Sequence, residues 1–163
     1  MLIVAVALSA CGPPVDGPET ADFRSFGTEV DDWPTTTVEI VRADGDDVIV
    51  AARVADVPRR RAQGLMGVDA VPDGTGVLFV YDAGHRGGFW MKDTPVALDI
   101  AFADAHGQIV AIATMEPCRA DPCPVTDPQV PYRAALEVRA DFLADAGVAV
   151  GDTMTWAPPT PAS

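Results

Sequence analysis

Short apolar segments separated by turn residues occupy the middle of the chain and predict a mainly β domain. Two β-branched segments flank Asp44-Gly45, a dipeptide that favours a tight hairpin, and a second hairpin is predicted around Ala105-His106-Gly107. The predicted strands cover 36–42, 47–54, 76–81, 88–92, 97–104, 108–115, 134–139 and 153–156. Many short strands joined by Gly-rich turns are typical of a compact β-sandwich or a partly open barrel.

One or two short helices are also predicted, so the expected fold is mainly β and borders on the α+β class. The first spans 56–64, where Asp56 can cap the N-terminus, Pro58 occupies the first turn and Gly64 ends the helix. The second covers 141–146 and ends at a glycine.

Alternation within the predicted strands sorts side chains onto two faces, because successive strand residues project to opposite sides. Asp99 shares its face with the alanines of 97–103, and Glu137 shares its face with Ala135. We therefore predict that Asp99, Glu137 and Trp90 lie on one common face, where the small alanines leave a shallow hollow. The alternative is that this face is an ordinary solvated surface.

An uncharged apolar segment over 1–10 (MLIVAVALSA) opens the chain. It is shorter than the roughly 20 residues that a membrane-spanning helix needs, and it resembles the hydrophobic region of a signal peptide. Leu8-Ser9-Ala10-Cys11 resembles a bacterial lipoprotein box, in which the cysteine becomes the lipidated first residue of the mature protein. We expect an exported protein, anchored to the membrane on the extracytoplasmic side through Cys11. The alternative is an ordinary cleaved signal with a chance cysteine.

The composition changes after Cys11 and sets the expected domain limits. Residues 11–34 are rich in proline and acidic residues and lack periodicity, which predicts a semi-extended tether. Residues 157–163 (APPTPAS) are predicted to be a disordered tail by the same criterion. One folded domain over 35–156 remains, and this length is sufficient to bury a hydrophobic core.

The charge of the chain excludes one class of partner. Its 163 residues include 24 acidic residues against 11 lysines and arginines, a net charge of −13. Hydrophobic residues make up 48%, which excludes a disordered acidic chain. Nucleic acid is excluded as a partner, because binding DNA or RNA needs a basic face and the sequence shows none.

The odd number of cysteines also needs an explanation. With Cys11 assigned to a lipid, Cys118 and Cys123 remain, in a loop rich in proline. In an exported chain this short spacing predicts a disulfide that staples the loop. The alternative, half of a zinc site, would need two further ligands, and no cluster of such residues is near.

Several motifs occur in an order that resembles domain of unknown function family 192. They are RAQGLM at 61–66, GVLF at 76–79, FWMKDT at 89–94, LD at 98–99, LEV at 136–138, and GD at 151–152. The resemblance extends over residues 38–156 and implies a compact, mainly β, often exported domain with no established activity. The chain departs from the family pattern at two positions, with Val77 where Met is usual and Asp93 where Asn is usual.

Six residues are candidates for binding a small polar or cell-envelope-derived ligand: Arg61, Trp90, Lys92, Asp93, Asp99 and Glu137. A tryptophan offers a flat apolar face, while the cations offer donors and the acids offer acceptors, a combination with which soluble domains hold polar ligands such as sugars. In the alternative these residues are structural, since Phe89-Trp90-Met91 fills the core while Asp99 or Glu137 satisfies backbone N–H groups or pairs with Arg61. The protein would then be a non-enzymatic accessory protein of the envelope.

A weak carboxylate hydrolase is the second alternative. Asp99 and Glu137 could act as acid and base if their carboxyl groups lay about 5–10 Å apart. No G-x-S-x-G motif occurs, and neither His85 nor His106 belongs to a recognisable triad. No Met-x-x-Met or His-x-His spacing occurs either, so we assign no catalytic residue, metal ligand or cofactor.

Overall fold

The computed structural model describes residues 26, 28–43 and 45–161. In chain order the elements of this part are α1 (Thr28–Asp31), β1 (Thr35–Val41), β2 (Val48–Ala55), α2 (Pro58–Gln63), β3 (Thr75–His85), β4 (Phe89–Trp90), β5 (Leu98–Ala103), β6 (Ile109–Met115), β7 (Val125–Thr126), β8 (Tyr132–Arg139), α3 (Phe142–Asp145) and β9 (Thr153–Trp156). The prediction of a mainly β fold with short helices is confirmed.

Seven strands form one curled sheet in the order β6-β5-β8-β3-β2-β1-β9, while β4 and β7 form a separate two-stranded ribbon. The curled sheet is the partly open barrel that the sequence predicts. Both predicted hairpins are present, because β1 pairs antiparallel with β2 and β5 pairs antiparallel with β6. β2 and β3 run parallel, so a crossover over residues 56–74, which includes α2, connects them.

The two edges of the sheet approach each other at one end of the barrel. β9 pairs antiparallel with β1, and Thr153 at its start forms a bridge with Gln108, just before β6. The N–H of Ile109 donates to the carbonyl oxygen of Asp152 at 2.8 Å. These bonds join the two edge strands and so stabilise the curled shape of the sheet.

Two hydrophobic clusters lie on opposite faces of the sheet. The barrel core lies on the inner face and contains residues of both edge strands, such as Ile109 and Met154. The cover core lies on the other face, where Leu65 of the crossover packs on Phe79 and its neighbours. Alternation along each strand separates the clusters, so that Phe79 belongs to the cover core and the adjacent Leu78 to the barrel core.

The packed part of the chain extends beyond the predicted limits of 35 and 156 at both ends. Phe26, Val30 and Trp33 are buried in the cover core, so the expected tether is too long at its C-terminal end. At the other end, Thr35 and Thr160 exchange backbone hydrogen bonds of 2.8 Å. Residues that bury core surface or join a strand cannot belong to a solvated tether or tail.

The remaining predictions for the N-terminal region concern residues outside the described part. They are the signal segment 1–10, the lipidated Cys11 and the tether as far as residue 25. These assignments therefore stay predictions. Among the residues that the structure describes, no helix is long and apolar enough to cross a membrane.

Candidate functional site

The structure separates the six candidate residues into four places. Arg61 lies on α2, Asp99 lies in the barrel core, Glu137 lies in the cover core, and Trp90, Lys92 and Asp93 lie beside a surface pocket. In the ranges 26, 28–43 and 45–161, no group of three or more His, Cys, Asp or Glu residues could hold a metal ion.

Asp99 and Glu137 lie on opposite faces of the sheet. The register of β5 and β8 places Ile100 directly opposite Glu137, and Asp99 directly opposite Val138. Directly paired residues project to the same face, so Glu137 joins the cover core with Ile100, and Asp99 joins the barrel core with Val138. The predicted common face is therefore wrong. Two carboxyl groups separated by a sheet cannot flank one scissile bond, which removes the carboxylate-pair hydrolase.

Asp99 acts as an internal acceptor and is only 3% exposed. Its Oδ1 accepts a hydrogen bond from the Thr114 hydroxyl at 2.7 Å, and its Oδ2 accepts one from the backbone N–H of Leu143 at 3.2 Å. Leu143 is the second residue of α3, and the first N–H groups of a helix have no partner within it. Asp99 therefore fastens α3 to the sheet, which is the structural role considered for it.

Arg61 fastens the crossover to β3. Its Nη1 donates to the carbonyl oxygens of Asp56 at 2.7 Å and Val80 at 2.9 Å, and its guanidinium carbon lies 4.9 Å from the ring centroid of Tyr81. In the described part of the chain it forms no ion pair with Asp99 or Glu137, so the suggested pairing does not occur.

Three aromatic residues beside Arg61 form a cluster that sequence reasoning missed. The His85 ring stacks on Tyr81 with centroids 4.1 Å apart, and Tyr132 contacts both rings edge-on. Burial lowers the pKa of His85, helped by the positive charge of Arg61, and burial raises the pKa of both tyrosines. All three shifts favour the uncharged form of the side chain. Because the predicted strand ended at Tyr81, His85 was expected in a loop.

Glu137 is a buried acid without a compensating partner. It is 4% exposed, and no described residue forms a hydrogen bond or ion pair with its carboxyl group. Gly64 lies over it, since a Cβ on Gly64 would stand 3.5 Å from Cζ of Phe79 and 4.0 Å from Oε2 of Glu137. Burial raises the pKa of Glu137 to about 8, so the carboxyl group is mostly protonated at neutral pH.

A surface pocket of about 340 Å³ is lined by two of the other three candidates. Lys92 and Asp93 line it together with Arg119 and Asp121, two residues that the sequence analysis did not select. Trp90 stands beside the pocket, 50% exposed, with its ring centroid 5.8 Å from Lys92 Nζ. Lys92 Nζ also forms an ion pair of 3.1 Å with Oδ2 of Asp121.

A tight turn holds one side of this pocket. The N–H of Thr94 donates to the carbonyl oxygen of Met91 at 3.1 Å, and the N–H of Gly67 donates to that of Asp93 at 2.8 Å. Asp93 has φ of 55°, a left-handed conformation that Asp and Asn adopt more readily than other non-glycine residues. The position therefore has a backbone role that either residue can fill, and the Asp93 side chain is exposed.

The predicted disulfide between Cys118 and Cys123 is present, with Cα atoms 5.6 Å apart. Cys118 also forms a parallel bridge with Lys92. The disulfide closes the short segment that carries Arg119 and Asp121, and the bridge sets one end of it beside Lys92. This segment is called the disulfide loop below.

Trp90 is presented by the ribbon of β4 and β7. Trp90 pairs with Val125, which is 64% exposed, while the neighbouring Phe89 packs edge-on against Phe79 at 4.9 Å. Successive residues alternate here as in a strand, since Trp90 is half exposed while Met91 on its C-terminal side is buried. The predicted strand 88–92 is shortened to two residues because the turn at Met91 follows directly.

Comparison with known proteins adds a family and a fold. The DUF192 family model, described as "Uncharacterized ACR", matches residues 39–156. A Sinorhizobium meliloti 1021 protein, proposed to be a transcription regulator, is 26% identical with a TM-score of 0.70, over 76% of this chain and 95% of that one. A Novosphingobium aromaticivorans DSM 12444 protein of unknown function is 24% identical with a TM-score of 0.68, over 75% and 85%. No curated protein matches.

Proposed function

Since the chain belongs to the DUF192 family, whose description assigns no activity, we propose from its own geometry that it binds a small polar ligand. The site is the pocket lined by Lys92, the turn at Asp93 and the disulfide loop, and the Trp90 ring lies next to Lys92. The observation that carries the proposal is the half-exposed Trp90 ring beside Lys92 at the margin of a fixed pocket.

The position of Trp90 favours ligand binding over a structural role. A large aromatic ring contributes to stability when its surface is removed from water, and this ring keeps half of its surface in solvent. Its neighbour Phe89 already supplies the core contact at this point of the chain. An aromatic face beside a charged group is suited to stacking on a polar ligand, and the pocket volume lies within the range of roughly 300–1,000 Å³ typical of ligand sites.

Arg61, Asp99 and Glu137 are not included in this site. Arg61 binds backbone carbonyls and Asp99 fastens α3, while Glu137 lies beneath Gly64. Their positions support a structural role, rather than ligand binding, for these three residues only. Arg119 and Asp121 take their place among the binding residues, because they line the pocket with Lys92.

Replacing Trp90 tests the site. In a thermal-shift screen of cell-wall sugars, amino acids and nucleotides, a ligand should raise the melting temperature of the parent protein. Trp90→Ala should weaken that ligand about tenfold, as expected for the loss of about 1.4 kcal/mol of stacking. The melting temperature of the free variant should stay close to that of the parent, because the ring is half exposed.

Two further variants control this experiment. Trp90→Phe keeps an aromatic face and should retain intermediate affinity, whereas Val125→Ala removes exposed apolar surface beside the ring and should bind like the parent. Unchanged affinity in Trp90→Ala would contradict the proposed site.

We also propose that the protein is exported and anchored to the extracytoplasmic face of a membrane through Cys11. The lipobox-like sequence before Cys11 and the disulfide at Cys118 and Cys123 support this proposal, because disulfides persist in oxidising compartments. Mass spectrometry of the mature N-terminal peptide should find a diacylglyceryl thioether on Cys11, and Cys11→Ser should move the protein to the soluble fraction. An unmodified Cys11 thiol would contradict the anchor.

The role proposed for the Sinorhizobium meliloti protein is not transferred to this chain. A regulator that binds DNA needs lysines and arginines that neutralise phosphates, and the chain has a net charge of −13.

A further inference from the structure

We propose that the pocket selects a zwitterionic ligand of amino-acid or short-peptide size, with one carboxylate and one ammonium group. This inference rests on the proposed function, because it names the class of ligand that the same site would take. The arrangement of four charged side chains in the pocket carries it.

Two of the four charges neutralise each other and two have no partner. Lys92 and Asp121 form the ion pair across the pocket. Asp93 and Arg119 are exposed, and the side chain of neither forms an ion pair or a hydrogen bond with any residue that the structure describes. The pocket therefore has no net charge, but it presents one unpaired anion and one unpaired cation.

This charge pattern fits a ligand that carries both signs. A ligand with a single charge would pair with Asp93 or Arg119 and partly desolvate the other, which is unfavourable for a charged group left without a partner. A neutral sugar could form hydrogen bonds with both groups but would neutralise neither charge. An anion would in addition be repelled by the net charge of −13 on the protein. A zwitterion has no net charge and therefore experiences no net repulsion.

The backbone segments that carry the two unpaired charges are held by separate supports. Asp93 is fixed by the left-handed turn and the hydrogen bond from Gly67, and Arg119 belongs to the segment that the disulfide closes. Because the backbone on both sides is already in place, only the two side chains lose freedom when the ligand arrives, so their charges can contribute to selectivity.

A charge-matched dipeptide series tests the proposal. Alanyl-alanine, its N-acetyl form, its C-terminal amide and the doubly blocked form have the same body and differ only in charge. Calorimetric titration of the full chain at pH 6.5 should find alanyl-alanine to be the tightest. Each blocked end should weaken binding about three- to tenfold, the loss expected for one charge-assisted pair in a partly exposed site.

Two substitutions assign each end of the ligand to a residue. In Arg119→Gln, amidation of the dipeptide carboxylate should no longer weaken binding, while acetylation of the amine should still do so. Asp93→Asn should show the reverse, and Asn keeps the left-handed turn. Arg59→Gln, an exposed charge on α2, is the control and should keep the parent pattern.

The possible results separate this inference from the proposed function. The zwitterion inference would be overturned if all four dipeptides bound equally, or if the anionic N-acetyl form bound as tightly as the zwitterion. In either case the proposed Trp90-dependent site would still stand. Sugars that bind in a Trp90-dependent manner, with no dipeptide bound, would also overturn the zwitterion inference. If no compound of either series binds, both proposals fail.

Discussion

Glu137→Gln is expected to be more stable than the parent protein at pH 8 by about 4 kcal/mol, and equally stable at pH 4. The carboxyl group has a pKa raised by burial from 4.5 to about 8 in the folded protein. Glutamine has the same shape and remains neutral at every pH. The parent must keep this carboxyl group protonated in order to bury it, whereas the variant has no ionisable group at this position.

The sign follows from proton binding in the two states. Below pH 4.5 the carboxyl group is neutral both folded and unfolded, so parent and variant should agree. As the pH rises towards 8, the unfolded chain releases this proton and the folded chain retains it, so the parent loses up to about 1.4 kcal/mol per pH unit. Above pH 8 both states are ionised and the difference becomes constant.

Urea unfolding of both proteins between pH 4 and pH 9 provides the measurement. The difference between the two free energies of unfolding cancels all other titrating groups. Glu39→Gln removes an exposed carboxyl group from β1 and should follow the parent curve throughout. A Glu137→Gln difference that does not vary with pH would show that the carboxyl group is not buried in its neutral form.

Gly76→Ala is expected to destabilise the domain by about 3 kcal/mol. A Cβ at this position would stand 2.3 Å from the backbone oxygen of Glu137 and 3.0 Å from Cγ1 of Val138. Neither β3 nor β8 can move aside easily, because β3 is also paired with β2 and β8 is also paired with β5. The GVLF motif therefore begins with glycine for a packing reason.

Gly84→Ala is the matched control for this experiment. It lies in the same strand, but no atom lies within 4 Å of a Cβ there, and its φ is not in the left-handed region. We expect it to have the stability of the parent within about 0.5 kcal/mol. Equal stability of both variants in urea unfolding would refute the close contact between β3 and β8.

The sequence predicts the local parts of this fold better than the pairings between distant strands. Turn residues such as Asp44-Gly45 identify both hairpins, because their strands are adjacent in sequence. The parallel pairing of β2 and β3 depends on the crossover and has no local signal. Phe26, Val30 and Trp33 are spaced four and three residues apart, a helix-like spacing within a segment whose composition otherwise predicts a tether. Only Val30 lies within α1, although all three residues pack in the cover core.

The candidate site shows the same limit. Alternation correctly separates Asp99 from its neighbours in β5, and Glu137 from its neighbours in β8, but the relative phase of two strands is set by their register. A shift of one residue decides whether two acids meet or lie on opposite faces. The sequence does not indicate Arg119 and Asp121, because it predicts the disulfide between Cys118 and Cys123 but not that the closed loop lies beside Lys92.

The pairing of β1 with β9 also determines how the domain responds to mechanical force. The strands are antiparallel, and Thr35 faces Thr160 where the two ends leave the sheet. A force pulling Thr35 and Thr160 themselves apart would load that pair first and then open the ladder one pair at a time, because its bonds lie across the strands.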